Sequence, residues 1–146
     1  MVKNGSIRGI FVPYEVKIYV SGKEYKRVGI LRSGREVAAF YLEKASDNTT
    51  GLMFKKTLSK NGGMIFEFSL PVKQPFWMLN MRFPIDLLLF DNHNKLIDFY
   101  QDIMPCKGDN PCVEYYPSSA VRYALELRSG TIEHYGIKKG DSLYIE

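Results

Sequence analysis

The hexapeptide Ile85 to Phe90 (IDLLLF) is apolar at every position except Asp86. Alternate residues of a strand face opposite sides of a sheet. A strand written this way is therefore buried on both faces and should lie centrally, with material above and below it. A chain of 146 residues can supply those layers, because a single domain of this length buries about two thirds of its unfolded surface without staples. Asp86 is then the most informative carboxylate in the chain.

Further strand signals recur around this run: Tyr14 to Val20, Tyr25 to Leu31, Glu36 to Leu42, Met64 to Ser69, Phe76 to Asn80, Leu96 to Ile103, Arg122 to Leu127 and Ser142 to Ile145. Turn residues separate them, among them Ser33-Gly34, Asn61-Gly62-Gly63, Asp91 to Asn94, Ser129-Gly130 and Lys139-Gly140-Asp141. An aromatic content of 14% favours strands over helices. The spacing predicts an α+β fold that is mostly β, an antiparallel sheet curling into a partly open barrel or a sandwich. Two short helices are expected, over about 47–58 and over 131–135. The second would have Ser129 or Thr131 as N-cap, Glu133 in its first turn and Gly136 as the left-handed stop. Phe66, Phe68, Leu87, Leu89, Leu125 and Leu127 are expected to share one core.

No internal repeat or low-complexity linker divides the chain, so residues 1–146 are read as one domain. Residues 1–44 are either a strand-forming extension or diverged first strands, and 45–146 are the core. No stretch approaches the length of about 20 apolar residues that spans a bilayer. Arg8, Pro13, Glu15 and Lys17 interrupt the N-terminal apolar positions, unlike a secretory signal. The expected location is cytoplasmic, without membrane insertion.

The net charge of +4 is carried by the first third. Between Lys17 and Arg35 stand Lys17, Lys23, Lys26, Arg27, Arg32 and Arg35 against a single acid, Glu24, with Tyr19 and Tyr25 interleaved. Such a stripe can follow nucleic-acid phosphates without reading bases. It is also what the solvated face of an edge strand looks like.

Three groups of residues bear on chemistry. If Phe76 to Asn80 and Ile85 to Asp91 are neighbouring strands, Trp77, Asn80 and Asp86 converge, a polar cluster on an apolar floor. Asp86 would there be an acid or base, or a carboxylate braced by backbone N–H groups. Cys106 and Cys112 enclose a turn-rich loop and read as a disulfide, as inert thiols, or as part of a catalytic or metal site. His93 in a turn and His134 in the last helix read as exposed residues rather than ligands. No GxSxG, HExxH, Walker or dinucleotide motif occurs, no cofactor or metal is implied, and whether the chain is an enzyme stays open.

From Gly51 to Asp141 seven landmarks follow one another: Gly51 to Phe54 (GLMF); Gly63, Met64, Phe66 and Phe68; Phe76 to Met78 with Asn80; Pro84 to Asp86; Pro105, Cys106 and Cys112; Ala120, Tyr123 and Leu125 to Leu127; and Gly136, Ile137, Gly140 and Asp141. In this order they resemble the family called domain of unknown function 192, also uncharacterised protein family 0127. Leu79 replaces the family's usual Lys, and Ala45 to Thr50 lacks its usual Arg. The resemblance implies a mixed, β-rich fold and carries no activity. The reading reached here is a binding domain for a small ligand or a protein, with Trp77, Asn80, Asp86, Tyr123 and the Cys106 to Cys112 loop lining the pocket. An enzyme using Asp86 and a non-specific nucleic-acid binder are the alternatives.

Overall fold

The computed structural model describes residues 25–45, 58, 61–106 and 111–146. The expected strand Tyr14 to Val20 and nearly all of the expected helix 47–58 lie outside the described residues. Within them the chain forms β1 (Tyr25–Arg32), β2 (Arg35–Lys44), β3 (Gly62–Val72), β4 (Ile85–Phe90), β5 (Leu96–Ile103), β6 (Val121–Arg128), α1 (Thr131–Tyr135) and β7 (Ser142–Ile145). They build a single sheet in the order β5-β4-β6-β3-β2-β1-β7.

Neighbouring strands are antiparallel except β2 and β3, which run parallel. A parallel pair needs a long crossover, and this pair is the one joined by the long stretch 45–61. β1 and β2 turn through Ser33 and Gly34 at φ 52° and 74°, the pair of positive φ angles that suits the twist of a tight hairpin. At the other end of the sheet the edges approach each other. Leu96 N–H donates to Asp141 O at 2.8 Å, Gly140 N–H to Leu96 O at 2.9 Å and Leu143 N–H to Asn94 O at 2.8 Å. The sheet thus curls into a barrel that meets at one end and stays open along the rest of its seam.

All six residues of β4 are buried. It lies one strand in from the edge, paired with β5 on one side and β6 on the other. Two separate cores flank it. Inside the curl Leu88 and Phe90 pack with Val28, Ile30, Phe40, Leu42, Ile65, Leu125 and Leu127, and with Ile132 and Ile137 around α1. On the outer side Leu87 and Leu89 pack with Met64, Phe66 and Phe68 under a roof that includes Phe76, Met78 and Met81. The six residues expected in one core are therefore divided: Leu125 and Leu127 face the inside, and Phe66, Phe68, Leu87 and Leu89 the outside.

The stretch Phe76 to Asn80 is not a strand. It contributes only isolated bridges, Phe76 to Tyr115 and Leu79 to Cys106. Pro75 denies the backbone a donor just ahead of it, and Asn80 at φ 58° turns the chain out of extended conformation. This segment crosses the outer core as part of its roof.

Candidate functional site

The Asp86 carboxylate points to the inner side, where both oxygens are occupied. Oδ1 accepts the Asp102 N–H and Oδ2 the Ile132 N–H, each at 2.9 Å. The first partner is available because a bulge in β5 puts Asp102 at φ 49°. The second belongs to the first turn of α1, whose amides have no partner within the helix. Asp86 thus caps α1 from across the fold. The expected caps are employed elsewhere. Ser129 donates its hydroxyl to Asp102 Oδ1 and Thr131 to Arg128 O, both at 2.5 Å. The residue at the N-cap position is Gly130 at φ 89°, with no side-chain cap, and Gly136 closes the helix at φ 64°.

Beside this bracket opens a cleft of about 300 Å³ lined by Arg128, Ser129, Gly130, Thr131, His134 and Tyr135. The Tyr135 hydroxyl donates to Asn61 Oδ1 at 3.0 Å, and its ring meets Phe40 edge-on at a centroid distance of 5.7 Å. The wall is therefore fixed. His134 lies edge-on to the Tyr135 ring at 4.7 Å. Arg128 is exposed, and its guanidinium forms no hydrogen bond or ion pair with a described residue. The three hydroxyls of the cleft already donate to Asp102, Arg128 O and Asn61, so its uncommitted guanidinium and its imidazole are the groups that can take up a small anion.

The residues expected to share a pocket are placed apart. Trp77 packs on the outer core, and Asn80 follows two bridged residues, its N–H donating to Cys106 O at 3.0 Å. Asp86 is on the inner side. Tyr123 packs on the inner core as well, but it pairs with Phe90 while Asp86 pairs with Leu127. That offset of four residues along the ladder amounts to roughly 13 Å. The structure joins Asn80 to Cys106, and Asp86 to Asp102 and α1, with Ser129 bonded to Asp102. Cys106 and Cys112 form a disulfide with Cα atoms 5.7 Å apart. Exposed His93 donates its backbone N–H to Asp91 Oδ1 at 2.8 Å, within its turn.

Of the basic stripe, Lys17 and Lys23 lie outside the described residues. Arg27 is paired with Glu36 at 2.6 Å and Glu146 at 3.4 Å. Arg32 grips Asp141 with two bonds of 2.8 Å. Lys26 is half-buried and Arg35 exposed. Burial would raise the Asp141 carboxyl, but hydrogen bonds from Arg32 and from the Lys138 N–H prevail and hold it below its ordinary value. Burial pushes up the hydroxyls of Tyr100 and Tyr115, whose rings meet at 5.1 Å.

One acid escaped notice in the sequence. Glu126, on β6, is fully buried and stands between Met64 and Leu87 on the outer side of the sheet. Its signal was its place in YALEL, beside a strand whose own sequence announced burial on both faces. Among the described residues no three His, Cys, Asp or Glu side chains gather into a group able to hold a metal ion. Nor is any helix among them long and apolar enough to cross a membrane.

The model of the family DUF192, described as uncharacterised ACR, matches residues 30–145. No curated protein matches the chain. Among solved structures, a "putative transcription regulator" from Sinorhizobium meliloti 1021 is 24% identical and has a TM-score of 0.74, covering 87% of this chain and 98% of its own. A protein of unknown function from Novosphingobium aromaticivorans is also 24% identical at a TM-score of 0.74, covering 89% of this chain and 92% of its own. At that identity the likeness shows the fold alone.

Proposed function

Because the chain belongs to the DUF192 family, a family of uncharacterised proteins, we propose from its geometry that it is a non-catalytic domain binding a small anionic ligand in the cleft at α1. The observation that carries this reading is the Arg128 guanidinium, which lines the cleft without an ion pair among the described residues. The His134 imidazole in the same lining supplies a further polar contact. A binding role is favoured over a catalytic one because Asp86, the acid or base candidate, has both oxygens filled by backbone N–H groups and no solvent contact. The pocket of Trp77, Asn80, Asp86 and Tyr123 gives way to this cleft, since its members stand on two sides of the sheet.

The nucleic-acid alternative is weaker, because Arg27 and Arg32 already serve Glu36, Glu146 and Asp141. The regulator named for the Sinorhizobium protein is not extended to this chain. A disulfide is more at home in an oxidising compartment than in a mesophile cytoplasm, which weighs against the cytoplasmic expectation. The test is a titration of the full chain with inorganic phosphate, with citrate and with uncharged glycerol, followed by backbone amide shifts. Saturable shifts confined to 128–135 for an anion, lost in Arg128→Gln, are expected. Equal binding by Arg128→Gln would overturn the proposal.

A further inference from the structure

Among the described residues the outer side of the sheet is roofed over β3, β6 and β4, and none of them covers it at the other end. Across β2, β1 and β7 the ladder registers align three rows of outward residues. Glu36, Leu31 and Ser142 form one row, and Ala39, Gly29 and Tyr144 the next. In the third, Tyr41 stands opposite Arg27, whose carbonyl accepts the Glu146 N–H at 3.1 Å. Residues of the opposite parity on these strands, Val28, Ile30, Ala38, Phe40, Leu42 and Leu143, fill the inner core.

Two features set this face apart from an ordinary solvated strand face. First, its two aromatic residues are exposed, Tyr41 by 58% and Tyr144 by 51%. Their Cα atoms stand two strands and two residues apart, roughly 12 Å from strand spacing and rise. Between them the floor is Gly29 and Ala39. Second, the polar groups between the tyrosines are already immobilised. Arg27 holds the Glu36 carboxylate at 2.6 Å and reaches Glu146 at 3.4 Å. Glu36 is drawn so far over the floor that a Cβ on Gly29 would meet its Oε2 at 2.7 Å. The glycine makes room for the carboxylate.

We propose that this face binds a neutral oligosaccharide. The ring faces of exposed tyrosines receive the C–H faces of pyranose rings, and planar carboxylate and guanidinium groups pair with vicinal hydroxyls in two-point contacts. The distance between the tyrosines suits a short run of linked rings lying across three strands. The charge balance selects against the other ligand that stacks on aromatic residues. A nucleic acid needs uncommitted cations for its phosphates, and here one guanidinium is shared between two carboxylates. Fixing Arg27 and Glu36 before binding lowers the ordering cost of the complex. The inference is independent of the cleft at α1, which lies elsewhere and has no part in it.

The test uses the full chain and soluble maltohexaose, cellohexaose and chitohexaose, with a single-stranded oligonucleotide at low salt as the competing class. Amide shifts and calorimetry should show saturable binding of at least one glycan, with the perturbed residues on β2, β1 and β7. Tyr41→Ala and Tyr144→Ala, both at exposed positions, should each weaken binding tenfold or more. Phe in either place should retain most of it. Arg128→Gln should leave it unchanged. Absence of binding by all three glycans would overturn the proposal. So would affinities indifferent to both tyrosines, or salt-sensitive binding of the oligonucleotide at this face.

Discussion

Asp86→Asn removes one negative charge while nearly preserving shape, and it tests whether this acid is a brace. In the native fold two backbone N–H groups reach it, each at 2.9 Å, one from the β5 bulge and one from α1. Hydrogen bonds to a charged group contribute about 1.5 to 3 kcal/mol each, and a buried donor left unsatisfied costs about 1 to 3 kcal/mol. Asparagine keeps one acceptor, now neutral, and turns an amide N–H toward the other donor. Relief from burying a charge offsets part of the loss. The net expectation is a destabilisation of about 3 kcal/mol, a large share of the roughly 5 to 15 kcal/mol that holds a domain together. Urea unfolding at unchanged m-value measures the total. Hydrogen exchange should show Ile132 and Asp102 losing more protection than the β1–β2 ladder. A loss below about 1 kcal/mol, or protection unchanged at both amides, would show that Asp86 does not hold α1 to the sheet.

Gly63 lies where a Cβ would come within 2.3 Å of Glu126 O and 2.9 Å of Leu127 Cδ2, so Gly63→Ala should cost about 2 to 3 kcal/mol in chemical denaturation. The Cys106–Cys112 bond closes only a short loop in the unfolded chain, so its reduction should lower stability by about 2 kcal/mol while far-ultraviolet circular dichroism stays the same. Asp141→Asn should destabilise by about 2 kcal/mol at neutral pH, because Arg32 loses a two-point partner. The Asp141 carboxyl titrates below its ordinary value, so its contribution is complete above about pH 4 and vanishes as pH falls through the lowered native pKa. The gap between native and Asp141→Asn stabilities should therefore close in acid.

The strands were legible where hydrophobic pattern and turn chemistry agreed. Leu96–Ile103, Ser142–Ile145 and α1 have the ends that sequence suggests, and double burial of IDLLLF appeared as written. Phe76 to Asn80 misled because an aromatic, apolar stretch serves a roof as well as it serves a strand. The single expected core failed for a related reason. Periodicity says which residues of one strand share a face, but the pairing register decides which faces of two strands coincide, and register is a long-range fact. Because Leu88 pairs with Leu125, and Leu89 with Ala124, odd-numbered residues of β6 join even-numbered residues of β4. The site fared likewise. Asp86 was recognisable as a special carboxylate, yet its partners, the amides of Asp102 and Ile132, are 16 and 46 residues away. No local signal marks a backbone N–H as the partner of a distant acid. Arg128 gave none either, since only the folded chain shows an arginine to be uncommitted.

The roof explains where the two proposed sites can be. Outward residues on β3 and β4 are Met64, Phe66, Leu87 and Leu89, and such a surface must be covered. The chain covers it with segments pinned through Phe76 and Tyr115, whose two backbone bonds are 2.9 and 2.8 Å, and through Cys106 with Met78 and Asn80, both at 3.0 Å. The disulfide joins Cys106 to the arm that leads to Tyr115, tying the two attachments into one unit. On β1 and β7 the outward residues are Arg27, Gly29, Leu31, Ser142 and Tyr144, of which only Leu31 is a large aliphatic, so there is less apolar area to hide. The roof therefore has less to gain by extending over them. Among the described residues, what remains open is that face and the rim beside α1, where Asp86 secures the helix from beneath and Arg128 faces solvent.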